Sequence, residues 1–136
     1  MRLKGLAAVV TGGGSGIGLA IAREFAAEGA GVAVFGRNRS ALEAAIRECG
    51  PKALAVPGDV CRTADLDRLF REAHAHFGRL DIVVANAGIA LARPFEAVDE
   101  ATFDRMSETN FKGTFFTVQK AAPYLRPGGS VILVSS

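Results

Sequence analysis

Eight residues, Thr11-Gly12-Gly13-Gly14-Ser15-Gly16-Ile17-Gly18, constrain this chain more than any others. Ahead of them runs Leu6-Ala7-Ala8-Val9-Val10, apolar and of strand length. Behind them runs Leu19 to Glu28, which reads as a helix ending at Gly29. A glycine-rich turn between strand and helix lets the backbone come close to a ligand. It also presents the unpaired N–H groups and positive dipole end of a helix N-terminus, which together favour a phosphate. Gly12, Gly16 and Gly18 give T-G-x-x-x-G-x-G. This is not the G-x-G-x-x-G dinucleotide fingerprint, and it is not a P-loop, since Leu19 stands where lysine would be needed. The plainer alternative is a flexible connection between two packed elements.

The rest of the chain repeats the alternation of strand and helix. Val32 to Phe35 reads as a second strand ending at Gly36-Arg37. Ser40 opens a helix with Glu43 three residues on as a capping box, and Leu42, Ile46 and Cys49 recur at helical spacing. Gly50-Pro51 stops it. Ala53 to Val56 is a third strand, closed by Pro57-Gly58 and followed by Asp59-Val60. A helix with Leu66, Leu69, Phe70, Ala73 and Phe77 on one stripe ends at Gly78. Leu80 to Ala85 is a fourth strand, apolar except for Asp81, leading into Asn86-Ala87-Gly88. Asp99 caps a long helix running through Asn110 to about Leu125, and Val131 to Val134 is a fifth strand before Ser135-Ser136. Continuous apolar strands alternating with helices predict a parallel sheet covered on both faces. Right-handed crossovers favour a doubly wound sheet in the order 3-2-1-4-5, with a ligand over the carboxyl ends of strands one and four.

A chain of 136 residues makes one domain with a real core, and its 49% hydrophobic content argues against disorder. The 16 basic and 14 acidic residues are scattered and leave a net charge of +2, so nothing points to nucleic acid or to a membrane surface. Cys49 and Cys61 are at no metal-ligand spacing and are too few for a disulfide framework. With a first strand beginning by about Leu6 there is no room for a signal peptide, and no apolar stretch is long enough for a bilayer. The cytosol is the expected compartment.

Four signals therefore stand at strand ends, in order: Thr11 to Gly18, Asp59-Val60, Asn86-Ala87-Gly88 and Ser135-Ser136. Together with Asn110 in the long helix they resemble the short-chain dehydrogenase/reductase family over the whole chain. The resemblance implies a Rossmann-type fold and a cofactor site. In it Thr11, Gly12, Gly14, Ser15, Gly16, Ile17 and Gly18 form the loop over the pyrophosphate. Asp59 hydrogen-bonds the adenine with Val60 packed beside it, and Asn86, Ala87 and Gly88 support the nicotinamide end. It implies that Asn110 holds a water in a proton relay and that Ser136 is the catalytic serine. Taken singly, each has a plainer reading: Asp59 and Asn86 as turn residues, Asn110 as a solvated helix residue, Ser135-Ser136 as nothing in particular.

The end of the second strand decides between cofactors, because an acid there accepts bonds from the ribose hydroxyls and repels a 2′-phosphate. Gly36 occupies that position, followed by Arg37 and, nearby, Arg39. This favours NADP(H), with NAD(H) as the alternative. The resemblance further implies hydride transfer to or from a small carbonyl or alcohol substrate, and a homo-oligomer in the full-length form.

The family's proton donor is a tyrosine in Y-x-x-x-K, downstream of the serine. The lysine is needed because an unperturbed tyrosine titrates near pH ~10. Tyr124 precedes Ser136 and is followed four residues on by Gly128, so it reads as a helix-end packing residue. Family members are nearly twice this long. The expectation is an N-terminal cofactor-binding part of a longer enzyme, inactive alone, with its fifth strand an exposed apolar edge. A non-catalytic NADP(H)-binding module and one half of a split enzyme stay open as alternatives.

Overall fold

The computed structural model describes residues 1–135. Five parallel strands form one sheet in the order β3-β2-β1-β4-β5, the order predicted. The strands are β1 (Ala7–Thr11), β2 (Gly31–Gly36), β3 (Leu54–Pro57), β4 (Ile82–Ala85) and β5 (Ser130–Leu133). Between them run α1 (Gly16–Ala27), α2 (Arg39–Glu48) and α3 (Thr63–Phe77). After β4 come a short 3-10 turn (Phe95–Ala97), α4 (Glu100–Ser107), a π-helical turn (Glu108–Lys112) and α5 (Gly113–Ala121).

The central strands β1, β2 and β4 bury both faces, and alternation divides their side chains between two cores. Val9, Ala33, Phe35 and Val83 point to one side, where Leu66, Leu69, Phe70 and Ala73 of α3 and Ala121 of α5 pack on them. Ala8, Val10, Val32, Val34 and Val84 point to the other, against Ala22 of α1 and Leu42 and Ala45 of α2. Fully burying one such aliphatic or aromatic side chain contributes roughly 1.5–3 kcal/mol. The parallel pairing thus holds the carboxyl ends of β1, β2 and β4 side by side. Below them, buried Asp81 accepts from the Ala7 N–H at 2.9 Å and from the Arg79 guanidinium at 2.7 and 2.8 Å. The bond from Arg79 holds its carboxyl below the usual range.

Three expectations are corrected. The cap of α2 is Asn38, not Ser40. The Asn38 Oδ1 accepts from Ala41 N–H at 3.1 Å, so the helix starts at Arg39 and no Ser40–Glu43 box forms. The long helix is capped by Asp99 as expected, its carboxylate accepting from Thr102 N–H at 2.8 Å. However, it is interrupted by the π turn, and it stops at Ala121 because Pro123 has no N–H to continue it. The fourth strand begins at Ile82, after Asp81 has turned its carboxylate to the backbone of β1.

Candidate functional site

A cleft of about 370 Å³ opens over the carboxyl ends of the strands. Of the predicted residues, Gly12, Gly14 and Ser15 line it from the glycine loop, and Arg37 from the end of β2. Asp59 and Val60 line it from the loop after β3, and Ala87 and Gly88 from the loop after β4. Thr11, Gly16, Ile17, Gly18, Asn86 and Asn110 are not among its lining residues. Ser136 lies outside the described residues.

Of the residues outside the lining, Thr11 and Asn86 hold it together. Thr11 is buried, and its hydroxyl accepts the N–H groups of Asn86 and Ala87, each at 3.0 Å. It donates to the Val84 carbonyl at 3.4 Å. The Asn86 carboxamide returns two bonds, donating to the carbonyls of Thr11 at 3.2 Å and Gly12 at 3.3 Å. The glycine loop and the loop after β4 are thereby strapped together across a gap of 75 residues in sequence. This closeness leaves no room for side chains. A Cβ on Gly18 would lie 2.1 Å from the Gly12 carbonyl oxygen and 2.5 Å from Asn86 Nδ2. Gly12 has a φ of +64° and Gly16 of +55°, left-handed conformations that glycine adopts freely. Ile17 projects from the first turn of α1 and is largely exposed.

The electrostatics suit an anion. Ser15 is the N-cap of α1 in an extended conformation. Its hydroxyl makes no capping bond, and the first turn carries no acidic side chain. The leading N–H groups of α1 have no partner within the helix. Beside the glycine loop, β2 ends at Gly36 with no carboxylate, and Arg37 follows; both line the cleft.

Asp59 keeps both readings. Its Oδ1 accepts from Cys61 N–H at 2.9 Å, making it a turn residue, and its own N–H donates to Asp65 Oδ2 at 2.9 Å while it lines the cleft. Arg68 donates to the Pro57 carbonyl and lies 3.7 Å from Asp65, so α3 clamps this loop. Asn110 sits in the π turn, and its carboxamide is taken up by one residue. Oδ1 accepts from Ile89 N–H and Nδ2 donates to the Ile89 carbonyl, both at 2.8 Å. Burial pushes the Cys61 thiol pKa up. Tyr124 packs against the core beside His74, with ring centroids 5.4 Å apart.

Phe35, Asn38, Ala41, Leu42, Gly58, Ile89 and Thr109 also line the cleft and were not assigned to it from the sequence. Ile89 follows Gly88 directly and was legible by adjacency. Thr109 was not, because a π turn changes the helical period and hence which residues share a face.

A profile of the short chain dehydrogenase family matches residues 6–136. "Oxidoreductase asL5" of Sarocladium schorii is 47% identical over 99% of this chain and 55% of its own length. The "Hydroxynaphthalene reductase-like protein Arp2" of Metarhizium acridum is 42% identical over 98% of this chain and 52% of its own. Among solved structures, a Sinorhizobium meliloti dehydrogenase/reductase superposes with a TM-score of 0.95 at 36% identity, covering 99% of this chain and 55% of that one. A Burkholderia cenocepacia short chain dehydrogenase in complex with NADP superposes with a TM-score of 0.93 at 32% identity, covering 98% and 56%. The chain spans about half the length of the curated relatives it matches. With the strand order, the strapped glycine loop and a profile match over nearly the whole chain in agreement, the protein belongs to the short-chain dehydrogenase family.

Proposed function

We propose that residues 1–136 form the nucleotide-binding part of an oxidoreductase that transfers a hydride between NADP(H) and a small carbonyl or alcohol substrate. The observation that carries this reading is the cradle of Gly12, Gly16 and Gly18. It is free of Cβ atoms, begins a helix whose first turn carries no acidic side chain, and opens on a cleft that Gly12 lines together with Arg37. A pyrophosphate fits the loop because the leading N–H groups of α1 and the free Ser15 hydroxyl are donors without competitors. Asp59 and Val60 bound the adenine, and Ala87 and Gly88 the nicotinamide side. When bound, the cofactor's nicotinamide gives or takes the hydride. The chain's own share is to hold and orient it.

Preference for NADP(H) over NAD(H) rests on Gly36 and Arg37. With no carboxylate at the end of β2, the ribose hydroxyls gain no acceptor there, and the guanidinium offers charge-assisted bonds to a 2′-phosphate. In the proposed reaction Asn110 holds the water of a proton relay and Ser136 bonds the substrate oxygen, with the proton donor outside these residues. The largely exposed Phe111 and Phe115 support a homo-oligomer in the full-length form.

Fluorescence titration with NADPH and NADH tests the reading. Gly16→Asp sets a carboxylate against the pyrophosphate and is expected to weaken NADPH binding about 100-fold or more. Arg37→Ser is expected to weaken NADPH about tenfold while leaving NADH unchanged. Unchanged NADPH affinity in Gly16→Asp removes the site. Equal losses of both cofactors in Arg37→Ser remove the preference.

A further inference from the structure

The π turn that carries Asn110 is wedged from the side of the cleft where the adenine is proposed to bind. The turn closes with Gly113 N–H donating to the Glu108 carbonyl, five residues back. Gly113 is buried, and a Cβ there would lie 2.9 Å from Val60 Cγ2 and 3.2 Å from the Glu108 oxygen. The Val60 side chain, itself 8% exposed, therefore fills the space that a side chain at position 113 would need. One residue on, the Cys61 thiol and the Thr109 hydroxyl are 3.4 Å apart. Two consecutive residues of the loop after β3 thus touch the turn on either side of Asn110. Within the turn, Asn110 grips the Ile89 backbone through two bonds of 2.8 Å. A helical side chain swings by about 100° for each residue of register.

We infer that Val60 and Gly113, supported by the Cys61–Thr109 contact, are positioning residues for Asn110: their packing sets the register of the π turn and so aims the Asn110 carboxamide at Ile89. This ties the proposed adenine-side loop mechanically to the residue proposed for the proton relay. The functional consequence rests on the role proposed for Asn110, whereas the register itself does not.

Amide hydrogen exchange on the 136-residue chain, without nucleotide, tests it. Gly113→Ala is expected to speed exchange at Ile89 N–H about tenfold, as the bond from Asn110 is lost. The Asn86 N–H, held by the Thr11 hydroxyl at 3.0 Å, should keep its rate. Adding Val60→Ala removes the closest contact, that of Cγ2 at 2.9 Å, but keeps the Cβ of residue 60 and the Glu108 oxygen at 3.2 Å, so it should return part of the Ile89 protection. Unchanged Ile89 exchange in Gly113→Ala, equal acceleration at Ile89 and Asn86, or a double variant no better than the single one overturns the inference. Because no cofactor is present, a failure here leaves the nucleotide reading standing, and the reverse also holds.

Discussion

β1 and β5 are both short, largely apolar, parallel strands, yet every residue of β1 is buried and every residue of β5 is exposed. β1 has a strand on each side and helices above and below, whereas β5 pairs only with β4. Val131 and Ile132 of β5 are each 42% exposed and Leu133 is 59% exposed. The same contrast runs through the helices. Leu66, Leu69 and Phe70 of α3 are fully buried, while Phe111 of the π turn and Phe115 of α5 are 78% and 58% exposed. The lesson is that an apolar run specifies a strand or helix, but burial comes from the layers placed on it. Most of the cleft's lining comes from the covered side, and Thr109 of the π turn brings the exposed side to it.

The comparison is most directly broken by truncating one large side chain on each side. Phe70→Ala removes a ring from the closed core and is expected to destabilise the chain by about 3–5 kcal/mol in urea unfolding. A loss below about 1 kcal/mol would mean that this core is far looser than its burial indicates.

Asp81 sharpens the comparison, because it sits beneath the covered strands. Its pKa is lowered by the bond from Arg79, so it contributes stability that is complete above the ordinary carboxylate pKa and fades as pH falls through its lowered folded value. Asp81→Asn should cost about 1–3 kcal/mol at neutral pH, since bonds to Arg79 and Ala7 are weakened or lost. Its unfolding midpoint should also fall less steeply than the wild type's on acidification from neutral into the acid range. Parallel pH profiles would remove Asp81 from the account.

The smallest effect belongs to the exposed edge. Leu133→Ala should change stability by less than about 1 kcal/mol, because little apolar area is lost from an already solvated side chain. A loss as large as that of Phe70→Ala would show that β5 is covered in solution.

Much of the site was legible because its chemistry is local. The glycine spacing, the missing carboxylate at Gly36 and the residues Asp59 and Val60 each follow a strand, and strand ends are readable from apolar runs closed by turn residues. The cap of α2 was misread because Asn38 and Ser40 both have capping side chains, and only the path of the chain leaving β2 chooses between them. The π turn was invisible, because it breaks the 3.6-residue period on which helix reading depends, and Thr109 went with it.

The sequence by itself determined the alternation of elements, the sheet order and the family, since each rests on local pattern and on motifs in fixed order. Tertiary structure alone decided that Thr11 and Asn86 strap two loops together, that Gly18 has no room for a Cβ, and that Val60 meets Gly113. These are distances between residues far apart in the chain, and close packing sets such distances to within a few tenths of an ångström.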